Sequence, residues 1–340
     1  MQAAPCRVSV VIPLYNSAAT LPRAVASTLR QTLHDIEVLI VDDGSRDASL
    51  PLARRLAERD ARVRVIALPQ NGGKPRAMNT AIAEAQGEWI AVLDADDWYA
   101  PERLALLLQA GETHGVAMTA DNQLFYDAAA DCFVRTAFPL AVGDRLLTTA
   151  DFIAGSDPYA SFDYGMLKPV VRTEFIHRTG LAYRENARMS EDFLYLVEFF
   201  AASGNGFLLS QPLYNWTQPF GTRSRQWTTT GAGSWRYDFG SALDANADVV
   251  RVLRERQQHD LVDLLIARAR AYKQLQRLNE INQMRANGAA LPQLLRAVAQ
   301  RPSIWPHLAR RVLRGPRYRE QDVDRDLQVA LPPRVDSTAT

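Results

Sequence analysis

Three carboxylates, Asp94, Asp96 and Asp97, arrive within four residues at the end of an apolar run, Trp89 to Leu93. Such a run reads as a buried strand. Like charges this close repel one another, and at a strand end they are partly removed from water. A bound cation is the simplest remedy. Hard oxygen donors suit Mg²⁺ or Mn²⁺, which take one or two protein carboxylates and complete their shell with phosphate oxygens. The Asp-x-Asp spacing therefore points to a metal held against the diphosphate of a nucleotide. The alternative is an acidic helix start, with Asp97 capping a helix opened by Pro101.

Other polar groups recur at comparable positions. Asp42-Asp43-Gly44-Ser45 ends a second apolar run. It is either a plain Asp-Gly turn or a pair of acceptors for a base N–H or a ribose hydroxyl. Tyr15 offers a flat face for a base, or is a partly buried aromatic. Asn71-Gly72-Gly73-Lys74-Pro75-Arg76 combines backbone N–H groups, a helix start and two cations, which suits a diphosphate, although it is not a P-loop. Glu191-Asp192 opens a helix, where the charge complements the helix dipole or serves as a general base. The five histidines, His34, His114, His177, His259 and His307, have no metal-ligand spacing and read as structural or surface residues.

The elements that must carry these groups alternate. Strands are expected at Arg7 to Leu14, Glu37 to Val41, Val63 to Leu68 and Trp89 to Leu93. Helices are expected up to about Gln31, from Ala48 to Glu58 behind Asp47, and from about Pro75 to Ala85. This β-α alternation implies right-handed crossovers and a parallel sheet, whose ligands bind beyond the carboxyl ends of the strands. The polar signatures fall at three of those ends. A helix from Pro101 to His114 follows, then strands at Val116 to Tyr126 and Cys132 to Phe138 and a short helix at Thr148 to Ala154. The aromatic stretch Tyr159 to Val171 includes Asp163, Tyr164 and Lys168. A helix from Phe193 to Ala202 precedes two short strands, Gly206 to Leu209 and Leu213 to Trp216. Long helical patterns run from Ser234 to about Arg285.

Composition sets outer limits. The chain has 340 residues, 47% of them hydrophobic and 23% charged, with a net charge of +1. That is an ordinary globular balance, with no global field to draw in nucleic acid. Cys6 and Cys132 are too few and too far apart for a disulfide framework, which fits a reducing cytoplasm. No apolar run approaches the ~20 residues of a spanning helix.

Taken in order, Val8 to Asn16, Val41 to Ser45, Asn71-Gly72 through Ala77-Met78-Asn79, Leu93 to Asp97 and Glu191-Asp192 resemble the motif set of family 2 inverting glycosyltransferases with a GT-A fold. The resemblance covers about residues 7 to 216. Residues 162–171 and 190–200 are further similar to bacterial exopolysaccharide glycosyltransferases of the succinoglycan type. The resemblance implies an α/β GT-A fold, a mixed sheet with flanking helices and a C-terminal helical extension. It implies a glycosyltransferase domain at 1–233, with a nucleotide-binding half at 7–100 and an acceptor half at 101–233. A helical extension at 234–331 and a disordered tail at 332–340 complete the expected organisation.

In the same terms, Pro13, Tyr15 and Asp43 would hold uridine, with Asp42 nearby. Arg76 would lie by the diphosphate or donor sugar. Asp94 and Asp96 would form the metal pair for Mg²⁺ or Mn²⁺, with Asp96 the more direct ligand, and Asp192 would be the catalytic base. Many relatives carry a metal-reaching His after the strand that follows the base helix. Tyr214-Asn215-Trp216-Thr217 offers none, and Ser224-Arg225 is expected to approach the diphosphate instead. The Gln-x-x-Arg-Trp signature of processive synthases is absent. The implied reaction is transfer of one sugar from a UDP-sugar, with UDP-glucose the expected donor, to a hydroxyl of a polyprenyl-diphosphate-linked oligosaccharide. The rival readings are a nucleotidyltransferase, which should show a basic Gly-rich loop where Tyr15-Asn16-Ser17 stands, and a non-catalytic nucleotide-sugar-binding protein.

Leu291 to Arg319 interleaves Arg296, Arg301, Arg310, Arg311, Arg314, Arg317 and Arg319 with Leu294, Leu295, Trp305 and Leu308, and contains no acidic residue. Such a segment suits an anionic membrane surface. The expectation is a cytoplasmic enzyme with peripheral contact at the cytoplasmic face of the inner membrane.

Overall fold

The computed structural model describes residues 6–300, apart from 159, 161, 204 and 219–238, together with residue 305. The expected alternation forms its first half: β1 (Val8–Leu14), α1 (Leu21–Leu29), β2 (Ile36–Asp42), α2 (Ser49–Arg59), β3 (Val63–Ala67), α3 (Lys74–Glu84) and β4 (Trp89–Val92). These four strands are parallel, in the order β3-β2-β1-β4. Every residue of β2 is buried, because helices cover both faces of the sheet and leave no side of the strand for water. Pro13 sits opposite Val41 in the β1–β2 register, one residue before both strands run out into the polar edge.

The second half turns the sheet into a mixed one. It comprises β5 (Trp98–Tyr99), α4 (Arg103–His114), β6 (Met118–Asp127), β7 (Cys132–Thr136), β8 (Arg145–Thr148), α5 (Thr149–Gly155), β9 (Val170–Arg172), α6 (Thr173–Thr179), α7 (Glu191–Ser203) and β10 (Asn205–Gln218). The sheet continues β4-β9-β6-β10-β5, with β9 antiparallel to both its neighbours and β10 parallel to β6. The strands β6 and β7, expected from sequence as a hairpin or an excursion, pair antiparallel as a hairpin.

Three local expectations are corrected. The two short strands near residues 206 and 216 are one strand, β10, with register shifts between Leu209 and Tyr214 around Pro212, where proline supplies no N–H to the ladder. The helix after Pro101 begins only at Arg103, with Glu102 at its N-cap. Asp97 does not cap it. Its carboxylate turns inward, accepting from the Tyr214 hydroxyl at 2.7 Å and the Thr217 N–H at 2.8 Å. The short strands β8 and β9 and the helix α6 had no sequence signal of their own.

Beyond the sheet lie α8 (Phe239–Glu255), α9 (His259–Ala286) and α10 (Leu291–Ala299). Ala245, Val249, Leu253, Leu261 and Leu265 of α8 and α9 belong to the same hydrophobic core as the sheet and α7. No helix of the described residues is long and apolar enough to cross a membrane.

Candidate active site

The site is assembled from four strand ends and two helix starts on one edge of the sheet. After β1, Asn16 adopts a left-handed φ of 50°, its N–H donates to Ser45 Oγ, and its own Oδ1 accepts from the Arg46 N–H. These bonds tie the loop after β1 to the loop after β2. Tyr15, between them, is partly exposed.

Asp43 sets the loop between β3 and α3. Its two carboxylate oxygens accept the backbone N–H groups of Gly72 and Gly73, each at 2.7 Å. Gly73 has φ 92°, a conformation side-chain-bearing residues avoid, and a β-carbon there would lie 2.3 Å from Arg188 Nη1. The loop thus enters α3 at a fixed angle, with Lys74 as the first helical residue. Arg76 packs along Gly72, and its guanidinium pairs with no carboxylate among the described residues. Asp42 is buried; one oxygen accepts the Ser45 N–H, and the other, Oδ1, has no partner. Of the two acidic residues it is Asp42 that keeps an open acceptor, whereas both Asp43 oxygens already serve the loop.

At the centre two lysines and two aspartates close a ring. Lys74 Nζ lies 2.9 Å from Asp94 Oδ1 and 2.9 Å from Asp192 Oδ2. Lys168 Nζ lies 2.7 Å from Asp94 Oδ2 and 2.7 Å from Asp192 Oδ2. Lys168 is only 5% exposed, and it stands just before β9 in the stretch that reads from sequence as aromatic packing. Its role has no local signal, because its partners are 74 and 24 residues away in the chain. Glu191 is at the margin, 3.8 Å from Lys74.

The charges explain the proton affinities. Burial opposes the ionised form of Asp192, but the ammonium groups of Lys168 and Lys74 outweigh it and hold its carboxyl below the usual range. Asp94 is held low in the same way. Burial also opposes the charge on Lys74, yet Asp192, Asp94 and Glu191 raise its affinity well above normal. Asp96 differs: burial and then the Asp94 charge push its carboxyl up, and no other described residue hydrogen-bonds that carboxylate. Burial and then Asp192 raise Glu191 likewise.

Two features suit chemistry. Asp192 Oδ1 is buried and has no hydrogen-bond partner, although both lysines converge on Oδ2. At Asp96 the Lys168 and Lys74 charges only partly offset burial and Asp94, and an added cation would relieve the remainder. No group of three or more metal-ligating side chains exists among the described residues. An ion that keeps its remaining positions for phosphate oxygens needs only one or two carboxylates. Asp96, with Asp94 behind it, suits such an ion. The far side is closed by β10: Thr217 Oγ1 donates to the Asp96 carbonyl, as does Arg23, which also lies over the Trp98 ring at 3.8 Å. Tyr214 anchors Asp97, and the segment from Tyr214 to Thr217 contains no His. Ser224 and Arg225 lie outside the described residues.

The sequence profile of "Glycosyl transferase family 2" matches residues 9–142, the span carrying Asp42, Asp43, Lys74, Asp94 and Asp96. The match covers residues 9–142, less than half of the chain. Two curated relatives from Rhizobium meliloti, the succinoglycan biosynthesis proteins ExoO and ExoU, are each 36% identical to this chain, over 200 and 195 residues respectively. The alignments take in 58% and 56% of this chain and 56% of each relative, so the match spans little more than half the length of either relative. Among solved structures, S. aureus TarS 1–349 in complex with UDP-GlcNAc superposes with a TM-score of 0.62 at 18% identity, covering 86% of this chain and 81% of that one. At that identity the likeness is one of fold, and the fold is GT-A.

Proposed function

We propose that the protein is an inverting glycosyltransferase that moves a single sugar from a UDP-sugar, UDP-glucose first among the candidates, to a hydroxyl of a lipid-linked oligosaccharide. The setting we infer is exopolysaccharide or other cell-surface polysaccharide biosynthesis, which the two succinoglycan relatives support. The observation that carries the reading is the buried, unpartnered Oδ1 of Asp192, set on the same two lysines as the strand-end carboxylate Asp94.

In this reading Asp192 Oδ1 accepts the proton of the acceptor hydroxyl as its oxygen attacks the anomeric carbon. The bond from that carbon to the UDP oxygen breaks on the opposite face, and UDP leaves with the bonding pair. An α-linked donor gives a β-linked product in one displacement, with no covalent intermediate. Lys74 and Arg76, at the start of α3, supply positive charge on the leaving-group side together with the N–H groups of the helix start. Asp96, with Asp94 on its lysines behind it, would hold a divalent cation, which would supply charge neutralisation at the diphosphate. Asp42, with its open acceptor, and the face of Tyr15 recognise the uridine, while Asp43 keeps the glycine loop shaped to receive the phosphates. Pro13 is proposed to help hold the uridine, and Ser224 and Arg225 to approach the diphosphate.

Residues 1–233 are proposed as the catalytic domain and 234–331 as its helical extension. Peripheral attachment to the cytoplasmic face of the inner membrane is part of the proposal. It is supported by the apolar side chains of Leu291 and Leu295 on α10, 68% and 60% exposed, and by Trp305, 53% exposed, next to a segment rich in arginine.

The test is a donor screen with membrane extract as acceptor, followed by linkage analysis, run on the wild type, Asp192→Asn and Glu191→Gln. Asp192→Asn is expected to bind UDP within about twofold of wild type while turnover falls about 10²–10⁴-fold. A crippled Glu191→Gln beside an active Asp192→Asn would identify the other carboxylate as the base, and an α-linked product from an α-linked donor would end the inverting mechanism.

A further inference from the structure

Ser190, immediately before the base helix, is a non-glycine residue at φ 65°, in the left-handed region that a β-carbon disfavours. Its carbonyl already accepts the Leu194 N–H at 3.0 Å, so its backbone sets how α7 starts and where Asp192 points. Something must hold it there. Its Oγ is hydrogen-bonded to the hydroxyl of Tyr272, on the middle of α9.

The direction of that bond follows from the next link. Arg268 Nε donates to the Tyr272 oxygen at 2.6 Å, and a guanidinium has no acceptor. The tyrosine hydrogen is therefore free for Ser190 Oγ. Arg268 Nη2 donates to Asp163 Oδ2 at 2.6 Å. The other Asp163 oxygen accepts the Gly165 N–H at 2.9 Å and caps the short 3-10 turn Tyr164–Met166, two residues before Lys168. The Arg268 guanidinium also lies 3.6 Å over the ring of Phe193, the neighbour of Asp192. Arg268, Tyr272, Asp163 and Phe193 are all buried. One arginine of the C-terminal helix thus grips both chain segments whose ends, Lys168 and Asp192, meet at 2.7 Å.

We propose that Arg268 and Tyr272 are positioning residues: through Ser190 and Asp163 they set the angle of the base helix and its meeting with Lys168. The C-terminal helices are then a part of the catalytic apparatus that touches no substrate. This rests on Asp192 being the base. A buried arginine with a carboxylate and a ring is also an ordinary way to seal a helix onto a domain, and the test separates the two.

The experiment compares the full-length wild type with Tyr272→Phe, Arg268→Lys, Ser190→Gly and the Tyr272→Phe/Ser190→Gly pair. The readouts are kcat, KM for the UDP-sugar, UDP binding by calorimetry, Tm, and amide hydrogen exchange across residues 188–195. Tyr272→Phe is expected to lower kcat at least tenfold, to leave the UDP Kd within twofold, and to raise exchange at 190–194. Glycine takes the left-handed conformation freely, so Ser190→Gly is expected to restore part of the kcat lost in Tyr272→Phe. An unchanged kcat in Tyr272→Phe, a fall of kcat and UDP affinity in step with Tm, or no recovery in the double variant would overturn the proposal. A wild type that transfers no sugar from any donor would instead sink the functional reading, while hydrogen exchange at 190–194 still decides whether the relay holds the helix start.

Discussion

Replacing Lys168 by methionine removes one of the two cations that hold Asp94 and Asp192 together. Two carboxylates are then left on Lys74 alone, 2.9 Å from each. At an effective dielectric of about 20, a unit pair about 3 Å apart interacts by about 5–6 kcal/mol, most of it offset by the desolvation of burying the charges. Breaking a buried pair by deleting one partner typically costs about 3–5 kcal/mol. The aspartates retain some exposure, 23% and 17%, so about 3 kcal/mol is the better figure. With an unfolding entropy of about 2.1 cal/mol/K per residue over the roughly 270 described residues, that is a fall in Tm of about 5 °C at pH 7. The effect must depend on pH. Asp94 and Asp192 have depressed folded-state values, so their contribution is present above the unfolded aspartate value of about 3.9 and fades as pH falls through the folded one. Lys168 is raised, so its part is fully present below about 10.4 and fades only at higher pH. The gap in Tm between wild type and Lys168→Met is therefore expected to be widest near neutrality and to narrow below about pH 4. Scanning fluorimetry of both proteins from pH 3 to 9 reads it directly. A variant as stable as wild type at pH 7, or a gap that widens toward acid, would refute the charge pairing described for this cluster.

Further outcomes follow from individual side chains. Asp96→Asn keeps the shape and removes the charge, so transfer is expected to fall by orders of magnitude with Tm retained, and EDTA should silence the wild type until Mn²⁺ or Mg²⁺ is returned; full activity in EDTA would remove the cation from the mechanism. Asp43→Asn can accept only one of the two glycine N–H groups. The loss of a charge-assisted bond, about 1.5–3 kcal/mol, should weaken UDP binding at least tenfold, and an unchanged calorimetric Kd would contradict the loop-holding role. Leu291→Glu with Leu295→Glu is expected to abolish salt-sensitive co-sedimentation with anionic vesicles while leaving transfer to a soluble acceptor intact; equal sedimentation of both proteins would clear α10 of any role in attachment.

Much of the first hundred residues is legible locally. Val8 to Leu14 is apolar but for Ser9, and Val38 to Val41 is wholly apolar, and a strand buried on both faces needs little else to declare itself. Their polar ends could be listed from sequence, and the crossover rule alone sends them to one edge of the sheet. The limits appear where an element is stabilised by what it touches. The strands β8 and β9 are four and three residues long, and they exist by pairing, β9 between β4 and β6 and β8 along β10. The strand β10 reads as two pieces because Pro212 interrupts the pattern, and only pairing along β6 joins them.

The site divides in the same way. Asp94, Asp96 and Asp192 were identifiable by residue type and position. Which of them are already neutralised, by which lysine, and which oxygen is left open was not. Lys168, Tyr214, Arg268 and Tyr272 act on partners between 24 and 117 residues distant in the chain, apart from the local Arg268–Tyr272 bond. Local sequence reports local free energy: helix propensity, apolar periodicity, turn preference. The energy of a buried charge is set by whatever the fold brings within about 4 Å of it, which is why the residue types belonged to the sequence and the state of each charge to the tertiary structure.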